Sequence, residues 1–321
     1  MPSQTIPTKN RTDAATSRFL AGFEPCYLTD GGLETTLVFH HGIDLPDFAA
    51  FPLLDSAEGR EELGRYYGPY LDIAQSRRTG IVLDTPTWRA NPDWAARLGY
   101  DREALAGANR RAVAYIEGLA TERSGVDAVL NGVIGPRGDG YAVGETMSTA
   151  EAARYHSLQV RAFVDAGTDI VTAVTMTYVD EAIGITRAAI DVDIPVVIGF
   201  TVETDGRLPS GMALGEAIET VDEATGNGPA WYMVNCAHPS HFADVFVAGR
   251  PWLGRIQAVR ANASRMSHAE LDEAPELDRG DPVELAADYV ALRSALPELR
   301  VVGGCCGTDH QHIAEIVNAL G

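Results

Sequence analysis

A chain of 321 residues with 45% hydrophobic content is long enough for one large α/β domain or two smaller ones. Its formal net charge of -20 excludes nucleic acid and anionic membrane surfaces as expected partners, because both require a basic face. The only lysine, Lys9, lies in a polar N-terminal stretch, which excludes Schiff-base, pyridoxal phosphate and P-loop chemistry.

Residues 1–20 are expected to be a flexible or interfacial arm, and residues 21–321 a single domain. Between Met1 and Ser17 there is no apolar core of a secretory signal, and no apolar run is long enough to span a bilayer. Four cysteines in a chain this long do not resemble the disulfide framework of a small secreted domain. The expectation is a soluble cytoplasmic protein with reduced thiols.

From Cys26 onward, short apolar runs alternate with amphipathic stretches of helical length. Expected strands are Cys26 to Asp30, Gly80 to Asp84, Ala128 to Gly132, Asp169 to Ala173, Val196 to Thr201, Trp231 to Asn235, Ile256 to Ala261 and Arg300 to Gly304. Expected helices are Ala57 to Arg78, Arg102 to Glu122, Thr149 to Ala166, Val179 to Ile190, Leu214 to Thr220, Ser240 to Phe246, Pro282 to Leu296 and His310 to Leu320. Eight such units in about 300 residues fit a closed (β/α)8 TIM barrel in a single α/β domain. The alternative is a doubly wound open sheet, which would normally show a glycine-rich phosphate turn after its first strand. Leu28-Thr29-Asp30-Gly31-Gly32-Leu33-Glu34 lacks that spacing. The acidic segment from Ala263 to Asp281 is a long connection, either a lid or an inert surface loop.

The most informative stretch is Val301-Val302-Gly303-Gly304-Cys305-Cys306-Gly307-Thr308. Adjacent side chains on a strand point to opposite faces, so both thiols reach one ion only if the backbone turns there, and the flanking glycines permit that turn. A third thiol, Cys236, ends the run Trp231-Tyr232-Met233-Val234-Asn235. Three thiolates from two strand ends would make a zinc site with one open position. Buried core cysteines, or a vicinal disulfide between Cys305 and Cys306, are the alternatives.

In a barrel, the C-terminal ends of the strands converge on one mouth. That mouth would receive Asp30, Gly31, Gly32 and Glu34 after the first strand, Asp84, Thr85, Thr87 and Trp88 after the second, Asn131 and the Gly135–Asp139 segment after the third, and Asn235 and Asn262 after the sixth and seventh. Free amides beside Asp30 are suited to a substrate carboxylate.

Asp30-Gly31-Gly32, Val234-Asn235-Cys236 and Gly303-Gly304-Cys305-Cys306-Gly307 resemble the homocysteine S-methyltransferase family. The similarity runs from about Cys26 to the C-terminus. Asp84-Thr85-Pro86-Thr87, Gly135-Pro136 and Phe200-Thr201-Val202-Glu203-Thr204-Asp205-Gly206-Arg207-Leu208 add support. The resemblance implies a (β/α)8 barrel, zinc (Zn2+) held by Cys236, Cys305 and Cys306, and an amino acid held by Asp30 and the amides of Gly31 and Gly32. Glu34, Thr85, Thr87, Trp88 and Asn235 are the further expected substrate contacts. It implies methyl transfer from an onium donor of the S-methylmethionine, S-adenosylmethionine or betaine type to homocysteine, giving methionine. The partners would be small molecules, a thiol acceptor and a methyl donor.

One position departs from the family pattern. Val174 in Ala173-Val174-Thr175-Met176 replaces the glutamate expected to bind the substrate ammonium, and Glu34, Asp84 or Glu203 are the candidates to compensate. Trp88, Tyr178, Phe200 and Trp252 are candidate aromatic faces for the donor cation. Two other readings are methyl transfer involving a different thiol, and a subunit that delivers its thiol to a separate methyl-carrier protein.

Overall fold

The structure, a computed structural model, describes residues 19–20, 26–274 and 276–321. Eight parallel strands close in chain order into one barrel. They are β1 (Tyr27–Leu28), β2 (Ile81–Asp84), β3 (Ala128–Ile134), β4 (Ile170–Met176), β5 (Val196–Phe200), β6 (Trp231–Asn235), β7 (Ile256–Ala261) and β8 (Val301–Gly304). The main helices outside them are α1 (Ala57–Arg77), α2 (Arg102–Glu122), α3 (Thr149–Asp165), α4 (Val179–Ile190), α5 (Leu214–Thr225), α6 (His268–Glu273), α7 (Pro282–Ala295) and α8 (His310–Leu320). The expected (β/α)8 barrel is therefore the fold. The expected N-terminal arm lies outside the described residues except for Phe19 and Leu20.

Strand periodicity sorts the apolar residues into two cores. Leu83, Leu130, Val171, Ile198, Phe200, Tyr232, Val234, Val259 and Val302 face outward into the layer shared with the helices. Val82, Val129, Ile170, Val197, Trp231, Met233, Ala258 and Val301 form a separate cluster inside the barrel, joined by Phe19. The Phe19 ring sits edge-on to Tyr27 and Trp231, with centroids 4.8 and 5.1 Å apart.

Two residues further along their strands, the inward positions turn polar: Asp84, Asn131, Thr172 and Arg260. Arg260 is 12% exposed and contacts the carboxylates of Asp30 and Asp84, while its Nε donates to the Gly304 carbonyl at 3.1 Å. Asp84 also accepts from Asn131 at 2.6 Å, and Asn131 accepts from Thr172 at 2.9 Å. Burial alone would lower the Arg260 pKa, but the two carboxylates more than offset it and hold the guanidinium charged.

Several boundaries differ from expectation, each for a local reason. β1 has only two residues in regular register; its pairing with β8 runs on irregularly, the Thr29 N–H donating to the Val302 carbonyl and the Gly304 N–H to the Asp30 carbonyl. β4 continues past Ala173 through an irregularity: pairing resumes at Met176 with Phe200, and between them Thr175 takes a left-handed φ of 57°. The helix expected over Ser240 to Phe246 is a short turn, Pro239–Phe242, followed by 3-10 geometry. α5 runs on to Thr225, where Gly226 at φ 64° ends it.

Removing Arg260 leaves two buried carboxylates facing each other without a cation. Arg260→Ala is expected to lower stability by about 3–5 kcal/mol, read as a lower midpoint in denaturant unfolding. A loss below about 1 kcal/mol would show that this network is not a structural element.

Candidate metal centre and substrate cavity

The three cysteines meet where β6 and β8 end. Their sulfurs lie within 4.8 Å of one another. Cys236 follows β6 with a left-handed φ of 54°, a conformation costing about 1–3 kcal/mol for a residue with a side chain. Its carbonyl is held there by Asn262 Nδ2 at 3.0 Å, Thr201 Oγ1 at 3.3 Å and His268 Nε2 at 2.7 Å.

After β8, Cys305 to Thr308 form a turn closed by the Thr308 N–H on the Cys305 carbonyl at 3.1 Å, with Gly307 at φ 79° in the third position. That position requires a positive φ, which explains the glycine. The turn supplies the departure from extended geometry that two adjacent thiols need to share one ion. Gly303 is required for another reason: a Cβ there would strike the Thr29 hydroxyl.

Cys236 and Cys305 are joined as a disulfide, and Cys306 keeps its thiol. The vicinal pairing is therefore not formed, and the bridge runs between the two strand ends. Once reduced, the set suits zinc: a regular tetrahedron with metal–sulfur bonds of about 2.3 Å spaces its sulfurs about 3.8 Å apart, inside the observed spread. Three soft thiolates favour zinc over magnesium or calcium.

A cavity of about 440 Å³ opens from this centre. Asp30, Gly31, Gly32, Glu34, Thr85, Trp88, Asn235, Cys236, Cys305 and Cys306 all line it, so ten of the eleven candidate residues converge on one space. Thr87 does not. It is fully buried, with its hydroxyl on Thr85 at 2.6 Å and on the Val133 carbonyl at 2.7 Å, and so supports the wall from behind. Asn235 turns its Oδ1 to the Thr175 N–H at 3.0 Å and helps hold the irregular end of β4. Val174 lines the cavity and leaves this wall apolar.

The carboxylates differ in their commitments. Asp30 accepts from Tyr66 at 2.9 Å and contacts Arg260, so both its oxygens are engaged. Burial pushes Asp30 up to about 7 against the pull of Arg260. Asp84 is held by Arg260 and Asn131. Glu203 faces His268 at 3.4 Å and is not in the cavity wall. Glu34 is different: it lines the cavity, forms no ion pair among the described residues, and is pushed up to about 7 chiefly by burial. It is the compensating carboxylate that remains available.

Of the candidate aromatic faces, only Trp88 reaches the cavity. Its Nε1 donates to Thr175 Oγ1 at 2.9 Å, and the Arg89 guanidinium lies 4.0 Å from its ring. Phe200 stacks on Tyr232 in the outer core, Tyr178 accepts from the Met147 N–H, and Trp252 packs on Gly215. The amide expected of Gly32 is also committed, donating to the Thr308 carbonyl at 3.0 Å.

The long connection after β7 covers the mouth. Leu271, Asp272, Ala274, Glu276, Leu277 and Asp278 contribute to the cavity wall, so the segment is a lid in this conformation. His268 in this lid stacks on Tyr141 with centroids 4.2 Å apart, while Tyr141 Oη lies 3.2 Å from Cys306 Sγ and 3.7 Å from Cys236 Sγ. Two loops thus close directly over the sulfurs. Neither Tyr141 nor Arg89 was a sequence candidate. Arg89 had a usable signal, a cation next to Trp88 at a strand end, whereas Tyr141 sits in a glycine-rich loop without a motif.

Burial pushes the Cys306 thiol up to about 11; the Tyr141 hydrogen bond opposes this and the Glu34 charge adds to it. In metal-free protein, alkylation of Cys306 by iodoacetamide is expected to be slow at pH 7 and to rise about tenfold per pH unit until pH approaches 11. Peptide mapping across pH measures it, and a plateau near pH 8 would contradict the buried environment.

The homocysteine S-methyltransferase family model matches residues 27–320. Among solved structures, the metallated form of the homocysteine methyltransferase MmuM from Escherichia coli aligns with a TM-score of 0.71 at 19% identity, covering 94% of this chain and 99% of that one. Its oxidized form aligns at 0.72 and 19% over 95% and 99% of the two chains, and its apo form at 0.67 and 18% over 95% and 99%. Identity at this level speaks to the shared fold. A search of curated protein sequences returned no match. With the family match extending over nearly the whole barrel and its thiol triplet, this chain belongs to the homocysteine S-methyltransferase family.

Proposed function

We propose that the protein transfers a methyl group from a cationic onium donor to the thiol of homocysteine, giving methionine, with zinc held by Cys236, Cys305 and Cys306. The observation that carries this reading is the convergence of three sulfurs within 4.8 Å at the base of a lidded cavity. When bound, zinc supplies the Lewis acidity that keeps an incoming thiol deprotonated at neutral pH.

The chain's own residues account for the remaining requirements. The hydrogen bonds to the Cys236 carbonyl and the turn at Cys305–Thr308 hold the sulfurs in place ahead of binding. Tyr141 shares a 3.2 Å hydrogen bond with the Cys306 sulfur and is its donor once that sulfur is a thiolate, moderating the negative charge. Glu34 takes the substrate ammonium in place of the carboxylate that Val174 removes from β4. Asp139, Asp272 and Glu276 are exposed on the cavity rim and favour entry of a cation. An acidic rim, more than an aromatic box, is what this cavity offers an onium group. Lid closure by the 263–281 segment excludes water from a transfer that needs only in-line approach of donor carbon to sulfur.

Reduced protein loaded with zinc is expected to convert homocysteine with at least one of S-methylmethionine, S-adenosylmethionine and betaine carrying a labelled methyl group. Cys306→Ala is expected to lose both stoichiometric zinc, measured by elemental analysis, and transfer. Full transfer by a metal-free Cys306→Ala variant would overturn the proposal.

A further inference from the structure

We infer that Arg89 selects the acceptor by binding its carboxylate. This rests on the homocysteine reading above and deepens it by naming the second charged contact of that substrate.

Two arginines line the cavity. Arg260 is neutralised by Asp30 and Asp84, whereas Arg89 has no carboxylate in ion-pair contact among the described residues. Arg89 is only 7% exposed, held between the rings of Trp88 at 4.0 Å and Trp94 at 3.7 Å. Among the described residues it makes one hydrogen bond, from Nη1 to the Gly138 carbonyl at 3.0 Å, and its buried Nε has no partner. A guanidinium carries five N–H donors in a planar fork that matches a carboxylate, so a buried one with a single bond is left short of acceptors.

Part of the first loop is already engaged. The Gly32 amide donates to Thr308, and both oxygens of Asp30 are engaged. Glu34, Arg89 and the three cysteines all line the one cavity. A short amino acid with its sulfur at the cysteines and its ammonium at Glu34 would direct its carboxylate to Arg89. The flanking indole rings fix the plane of the guanidinium, so the fork is oriented before the ligand arrives.

The test is calorimetric binding to zinc-loaded, reduced protein with three thiols: L-homocysteine, 3-aminopropane-1-thiol, which lacks the carboxylate, and 4-mercaptobutanoate, which lacks the ammonium. Wild type is expected to bind homocysteine roughly 10- to 100-fold more tightly than 3-aminopropane-1-thiol. Arg89→Met is expected to close that gap by weakening homocysteine alone, with zinc content and melting temperature as controls. Arg89→Lys, which keeps the charge and stem, is the second variant if Arg89→Met folds poorly, and is expected to narrow the gap. Equal binding of the two aminothiols by wild type, an undiminished gap in either folded variant, or a parallel loss of both thiols would overturn the inference. Should 4-mercaptobutanoate bind as tightly as homocysteine and still depend on Arg89, the ammonium contact fails while the carboxylate anchor is supported. Should wild type bind none of the three, the homocysteine reading fails and the Arg89 role falls with it.

Discussion

Three sulfurs must reach one small volume from strand ends 69 residues apart in sequence, and most of the upper barrel is arranged to meet that constraint. A regular strand would not do it, because consecutive side chains diverge. The chain solves it twice. At β6 a left-handed Cys236 is held by three hydrogen bonds on its carbonyl, and at β8 a tight turn with Gly307 brings Cys305 and Cys306 to the same side. One of those three bonds comes from His268 in the lid, so closure of the cavity and geometry at the sulfurs are coupled through a single side chain.

Beneath the sulfurs, the cavity floor depends on Arg260. Its guanidinium joins the ends of β1, β2 and β8 through Asp30, Asp84 and the Gly304 carbonyl. A buried ion network of this kind contributes little net stability compared with an apolar core, but it fixes where its partners point. Here it holds the Asp30 loop, and with it Gly31, Gly32 and Glu34, against the turn bearing Cys305.

The barrel itself was legible because parallel strands buried on both faces read as short apolar runs, and Trp231–Asn235 and Ile256–Ala261 needed no adjustment. The convergence of Cys236, Cys305 and Cys306 was legible because glycines bracket the paired cysteines. Side-chain direction was harder to read. Phe200 sits one residue out of step with the inward Val197 and Gly199, and that parity places it in the outer core. Arg260 had a signal, a charge inside an apolar strand, which usually means a buried partner. The commitments of Gly32 and Asp30 were not legible, because they depend on Thr308, Tyr66 and Arg260, all remote in sequence. Tyr141 was invisible for a similar reason: its position depends on contacts with His268, Cys236 and Cys306, all remote in sequence.

X-ray absorption at the zinc edge, on reduced zinc-loaded protein with and without homocysteine, tests the central claim most directly. The expected result is a shell of three sulfurs at about 2.3 Å plus one lighter atom, becoming four sulfurs when homocysteine is added. Fewer than three sulfurs without ligand, or a shell unchanged by homocysteine, would contradict it.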